Sequence, residues 1–223
     1  ATRRLLRSTR PRQLLLLRVF AGDRRGERLL DALAHGWRYL GPVHLIGGPD
    51  LARSYVDPPE IIRFLSGQTA ELFVKPGADL ARRLRELDLA ADPDGRFRVN
   101  EFYCHDDVWQ AAVSALALRS DAILMDLRGF RAERRGTAFE LGLLARLGAL
   151  PRCVFLADES TDLAAAGRIF AESGVRLADA ADDAPPRPDV ARILRLPAGD
   201  PDPAPILRQL LAEPAAGGPA IAK

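Results

Sequence analysis

The sequence predicts an α/β protein built on a doubly wound, mainly parallel sheet with a helical insertion. Three observations carry that prediction. Short apolar runs recur along the chain, too brief for core helices and too continuous for strands with one wet face. Segments with a helical apolar stripe separate them. Gly, Pro and Asp punctuate the boundaries.

Residues 14–20 (LLLLRVF) read as a strand buried on both faces. Residues 27–40 place Leu29, Leu30, Leu33, Trp37 and Leu40 on one helical stripe, stopped by Gly41-Pro42. Residues 43–46 form a second apolar run, ended by Gly47-Gly48-Pro49. Strand, helix and strand in that order make a βαβ unit, whose strands run parallel and whose crossover is right-handed. Residues 49–94 break the rhythm. Pro58 and Pro59 open one helix there, residues 79–89 form a charged amphipathic helix, and Asp92-Pro93-Asp94-Gly95 is a turn. The alternation resumes with a strand over 97–103, a helix over 107–119 begun by acidic residues, and the clearest central strand over 121–127 (DAILMDL). A helix over 137–147, a strand over 153–157, a helix over 163–173, a short strand over 193–196 and a helix over 204–211 complete the series.

These readings divide the chain into a basic arm or juxtamembrane linker (1–13), one α/β domain (14–212, with the helical insertion at 50–95) and a flexible tail (213–223). The formal charge of +2 supplies no global field for nucleic acid. Arg3, Arg4, Arg7, Arg10 and Arg12 crowd the start, as they do on the cytoplasmic flank of a membrane anchor. A tether through a region preceding this chain is therefore one expectation, and a solvated arm the other. Cys104 and Cys153 fall inside apolar runs without CxxC spacing, which suits free thiols in a reducing cytosol. The expected location is the cytoplasm, either free or as the cytoplasmic part of a membrane protein. His35, His44 and His105 show no metal-ligand spacing, so no metal is expected.

In a doubly wound sheet, ligands bind beyond the carboxyl ends of the strands, where the strand order reverses. The first strand and the 121–127 strand are the natural neighbours at that point. Two loops follow them. One contributes Phe20 and Gly22, and it lacks both the GxGxxG and the Walker spacing. The other carries Asp126, Arg128, Gly129, Arg131, Gly136, Thr137 and Glu140 in one strand–loop–helix passage. A helix start with arginines around it suits a phosphate or carboxylate. Thr137 and Glu140 also fit a T-x-x-E capping box, a purely structural reading of the same residues. A second cluster, Tyr103-Cys104-His105-Asp106-Asp107, ends another strand. Asp106 or His105 could act there on a ribose, or the cluster could simply start a helix, with Trp109 in the core.

The passage DAILMDLRGF…RRGTAFELGLLARLGALPRCVFLAD resembles the signature of nucleoside 2-deoxyribosyltransferases, with a Gly-Thr-x-x-Glu-x-Gly helix start. It is also similar to TIR domains, where a helix after a strand and loop carries a Glu. The resemblance implies a flavodoxin-like sheet and a Glu tied to cleavage of an N-glycosidic bond to ribose; the matching residue is Glu140. Glu140, from the resemblance, and Asp106, from the second strand-end cluster, are the expected catalytic residues. Phe20, Gly22, Asp126, Arg128, Gly129, Arg131, Gly136 and Thr137, from the two strand-end passages, are the expected substrate-binding residues. No cofactor is implied: NAD, another nucleotide or a nucleoside would be the substrate or ligand. Such a Glu must stay ionised to stabilise an oxocarbenium-like sugar, which a helix N-terminus favours. Two other readings remain open: a TIR-like domain that senses a nucleotide or self-assembles into a homo-oligomer without turnover, and a flavodoxin-type binding module.

Overall fold

The computed structural model describes residues 10–18, 24–47, 73–104, 106–181, 184–197 and 202–213. In chain order the elements are β1 (Leu14–Arg18), α1 (Arg24–Trp37), β2 (Val43–Gly47), β3 (Phe73–Val74), α2 (Ala78–Arg85), β4 (Val99–Cys104), α3 (Asp106–Arg119), β5 (Ala122–Asp126), α4 (Arg135–Arg146), β6 (Cys153–Ala157), α5 (Leu163–Ala171), β7 (Arg176–Asp179), β8 (Val190–Arg195) and α6 (Pro203–Leu211). A single 3-10 turn, Leu150–Arg152, leads into β6.

The strands form one sheet in the order β3-β4-β2-β1-β5-β6-β8-β7, and every pairing is parallel. Its centre, β2-β1-β5-β6-β8, is the doubly wound flavodoxin-like arrangement, extended by β4 and β3 on one side and β7 on the other. After β1 the chain places β2 beside it, goes to the edge for β3 and returns to set β4 between them, then crosses to β5 on the opposite side of β1. The switch point therefore lies between β1 and β5, with Arg18 level with Asp126 at its carboxyl end.

Alternation along the strands distributes the core between the two faces of the sheet. Leu15, Leu17, Ile123, Met125 and Phe155 face one layer with Val108, Val113 and Leu116 of α3, Leu141 and Leu144 of α4, and Phe170 of α5. Leu14, Leu16, Leu124, Val154 and Leu156 face the other, with Leu33 and Trp37 of α1 and Ile206 and Leu210 of α6. Because both faces are covered, β5 and β6 are buried at every residue, which explains their apolar sequence up to Asp126 at the end of β5. Cys104 and Cys153 are not joined in a disulfide and are buried in this core. No helix among the described residues is long and apolar enough to cross a membrane.

Several boundaries differ from the sequence reading. The stretch read as a helical insertion contributes a strand, β3, which pairs with the end of β4. The helix expected over 79–89 stops at Arg85, and the chain beyond it turns through Gly95 (φ +81°) and bridges Ala91 to Phe97. The last strand is longer than expected, and β7 beside it was not anticipated. The helix expected at Pro58-Pro59 lies outside the described residues, as do most of the 1–13 arm and the 213–223 tail.

Candidate functional site

The site begins with β5, whose apolar run delivers Asp126 to the carboxyl edge of the sheet. Asp126 is buried, and Arg128 answers it with a fork: Nε donates to Oδ1 at 2.9 Å and Nη2 to Oδ2 at 2.6 Å. The Arg128 backbone N–H donates to the same Oδ1 at 3.1 Å. Two charges are thereby removed from water as a bidentate pair. Arg128, expected to reach a phosphate, has its fork committed to Asp126.

The chain then turns tightly. Phe130 N–H donates to the Leu127 carbonyl at 2.8 Å, with Gly129 at φ +73°, a conformation that costs a side-chain-bearing residue. Leu127 and Phe130 are fully buried anchors, whereas residues 131–136 are exposed. Three contacts from the β6–α5 loop fix this turn. Gly129 N–H donates to Ser160 Oγ at 2.8 Å, Thr161 Oγ1 donates to the Leu127 carbonyl at 3.1 Å, and Asp162 N–H donates to the Phe130 carbonyl at 2.9 Å. Asp162 also caps α5 by accepting from Ala165 N–H at 2.9 Å. Ser160-Thr161-Asp162 reads from sequence only as a helix start; its second task is to hold the arginine loop.

Helix α4 starts at Arg135, two residues before the expected Thr137, and its N-cap is Arg134, with no side-chain cap. The T-x-x-E capping box is therefore not formed. Thr137 and Glu140 lie inside the helix on its buried side. The first turn contains no acidic residue, so Arg134 and Arg135 sit unfavourably at the positive end of the helix dipole.

Glu140 is 7 % exposed. Burial pushes its carboxyl up to about 8, while a hydrogen bond from the Trp109 side chain pulls in the opposite direction. The expectation of a carboxylate kept ionised by the helix start is thus corrected. Glu140 lies in the second turn, beyond the reach of the orphan N–H groups, and desolvation prevails. Trp109 comes from α3. Its ring tilts against Phe139 at 5.3 Å between centroids and lies beside the backbone of Gly136, where an added Cβ would stand 3.7 Å from it.

The structure thus brings together Asp126, Arg128, Gly129, Arg131, Gly136, Thr137 and Glu140 in one passage beside the switch point. Asp106 begins α3, three residues before Trp109; its side chain, Phe20, Gly22 and His105 lie outside the described residues. Trp109, read from sequence as a core residue, is half-buried and does pack against the core. A cleft of about 200 Å³ between α2 and β4, lined by Arg83, Glu86, Leu87, Asn100, Glu101 and Phe102, contains none of these residues. Among the described residues no His, Cys, Asp and Glu side chains gather in a way that could hold a metal ion. Compared with family models, with curated proteins and with solved structures, the chain shows no match.

Proposed function

We propose that the strand-end site around Glu140 cleaves the N-glycosidic bond of a nucleotide or nucleoside, as a hydrolase or a transferase. One observation carries this reading: a buried carboxyl, unused by its own helix start, stands beside an indole near the edge where open parallel sheets take their ligands. The resemblance of residues 121–158 to deoxyribosyltransferase and TIR sequences points the same way. A carboxyl that keeps its proton up to about pH 8 suits a general acid. In the proposed step the bond between C1′ and the base nitrogen breaks, its electron pair leaves with the base, and Glu140 protonates that nitrogen. The oxocarbenium-like sugar is left beside a newly ionised carboxylate that stabilises it. Water or an acceptor base then adds to C1′ and returns its proton to Glu140. A base that is already cationic, as in NAD, needs no proton, and its charge draws Glu140 into the ionised form. Arg131 and Arg135, exposed before and at the helix start, supply charge for a phosphate, and an anion there would relieve the conflict of Arg135 with the helix dipole.

A second reading, nucleotide sensing or self-assembly without turnover, draws on the Asp126–Arg128 pair. Glycosidic cleavage commonly employs two carboxyl groups, and Asp126 is already neutralised by its neighbour. The test is base release from NAD and from neutral nucleosides, followed by chromatography between pH 6 and 9 at dilute and high protein concentration. Neutral nucleosides should lose rate as pH rises through about 8, NAD should gain, and Glu140→Gln should lose about 100-fold or more. Nucleotide binding by calorimetry with no release at any concentration would select the second reading.

A further inference from the structure

We propose that Ser160 is a positioning residue for the site: its hydroxyl, oriented by Asp158, holds Gly129, and with it the arginine loop, where Arg131 meets the phosphate of a nucleotide. The role of the phosphate rests on the reading of the strand-end site given above, whereas the contacts themselves do not. The Ser160 hydroxyl has one hydrogen, and it goes to Asp158 Oδ1 at 2.5 Å. Its oxygen is thereby left to accept, and the Gly129 N–H donates to it at 2.8 Å. Asp158 directly follows β6, and the same Oδ1 also accepts from the Ser160 backbone N–H at 2.9 Å. The carboxylate thus fixes both the place of Ser160 and the direction of its hydroxyl. A hydroxyl polarised in this way is also the stronger acceptor.

Ser160 belongs to a clamp. Thr161 Oγ1 accepts from the Asp158 N–H at 3.1 Å and donates to the Leu127 carbonyl at 3.1 Å. Leu127 N–H donates to the Leu156 carbonyl at 2.9 Å, and the Phe130 carbonyl accepts from Asp162 N–H at 2.9 Å. Every one of these bonds ties the turn over 127–130 to the segment over 156–162. Leu127 and Phe130 are also anchored by their buried side chains. Gly129, at φ +73°, has no side chain to anchor it, so its bond to Ser160 fixes the tilt of the turn. Arg131 follows two residues later and is exposed, and its carbonyl accepts from Arg134 N–H at 3.0 Å in a second turn that leads into α4. Arg131 is therefore held between the clamped turn and the helix, and a change of tilt at Gly129 passes to it directly. A guanidinium contact to phosphate depends on direction, so such a change weakens it. Ser160 itself is exposed, so losing its hydroxyl acts on the loop and not on the core.

The test compares ADP with adenosine, titrated by calorimetry into the intact chain. Ser160→Ala should weaken ADP about fivefold and leave adenosine unchanged, and Ser160→Thr, which keeps a hydroxyl, should restore ADP. Asp158→Ala, which releases the hydroxyl, should act in the same direction as Ser160→Ala. In hydrogen exchange followed by NMR, the Gly129 N–H should exchange about fivefold faster in Ser160→Ala. A serine that served stability alone would lower the melting temperature and treat the two ligands alike. Equal ADP affinity in the wild type and Ser160→Ala, an equal loss for adenosine, or no binding of ADP to the wild type would overturn the assignment. If base release is measurable, Ser160→Ala should raise KM for NAD about fivefold with kcat little changed. Binding of ADP that depends on Ser160, in a protein that releases no base, would leave the assignment standing and remove the proposed cleavage instead. Base release with an ADP affinity indifferent to Ser160 would do the opposite.

Discussion

Asp126 and Glu140 are two buried carboxyl groups fourteen residues apart that meet burial in opposite ways. Asp126 is met by three donors, two of them from a guanidinium, whereas the donor on Glu140 is one uncharged indole. Moving the Glu140 carboxyl from its ordinary 4.5 up to about 8 costs its ionised form about 5 kcal/mol relative to the unfolded chain. The folded state holds this proton more tightly than the unfolded one. The associated stability is complete below pH 4.5 and is lost as pH rises through about 8. Glutamine keeps the shape and an acceptor for the indole but cannot ionise. Glu140→Gln should therefore lie within about 1 kcal/mol of the wild type at pH 5 and be more stable by about 3 kcal/mol at pH 7, measured by urea denaturation at both values. A capping box would give the reverse, a loss of about 1 kcal/mol at both pH values.

At the level of elements, two glycines test how tightly the layers are set. Gly41 closes the turn after α1, and a Cβ there would stand 2.0 Å from the Arg12 carbonyl oxygen and 2.6 Å from its backbone nitrogen. That carbonyl also receives the Trp37 indole, and Arg12 N–H bonds the Leu40 carbonyl at 3.1 Å, so the segment leading into β1 cannot yield cheaply. Gly136, in the first turn of α4, would place its Cβ in ordinary contact with Trp109. Gly41→Ala should cost about 2 kcal/mol or more, and Gly136→Ala should add about 0.5–1 kcal/mol, both read from thermal melts. The elements also show where sequence speaks plainly. The unbroken apolar runs of β1, β5 and β6 announce strands covered on both faces, and Cys153–Ala157 ends where the sequence reading ended it. The two strands it missed lack that signal: β3 is two residues long, and β7 is an edge with no buried residue. The start of α4 misled because Thr137-x-x-Glu140 imitates a cap, while the real start at Arg135 has no capping residue to announce it. The passage from Asp126 to Glu140 was legible as a candidate because strand, loop and helix follow one another in the chain. The Trp109–Glu140 contact and the Ser160 and Thr161 contacts to the Arg loop were not. They join residues about thirty positions apart, and only the folded sheet brings those together.

Across the whole molecule, buried titrating groups set how stability varies with pH, and two of them oppose each other. His44 on β2 is buried, with Nε2 3.0 Å from Gln13 Oε1 and Nδ1 without a partner, and burial lowers it from 6.5 to about 4. Between those values the unfolded chain binds the proton and the folded one does not, so His44 makes stability rise with pH. Glu140 makes stability fall with pH between 4.5 and about 8. From 4.5 to 6.5 the two slopes are equal and opposite, and the wild type should show a plateau. Above 6.5 only Glu140 acts, so stability should decline towards pH 8. Cys153, a fully buried thiol pushed up to about 12 from 9.0, adds a further decline above pH 9, as the unfolded thiol ionises first. Below 4, Asp79, Asp92 and Asp189, each held low by hydrogen bonds, lose that stabilisation on protonation, modestly because water still reaches them. Single substitutions should uncover the hidden slopes. Glu140→Gln should give stability that climbs from pH 4.5 to 6.5, and His44→Gln should give stability that falls across the same interval, each by about 1.4 kcal/mol per pH unit. Urea midpoints taken at half-unit steps resolve slopes of that size. A plateau that persists in both variants would mean that neither group is as dry as its surroundings indicate, and the acid role assigned to Glu140 would fall with it.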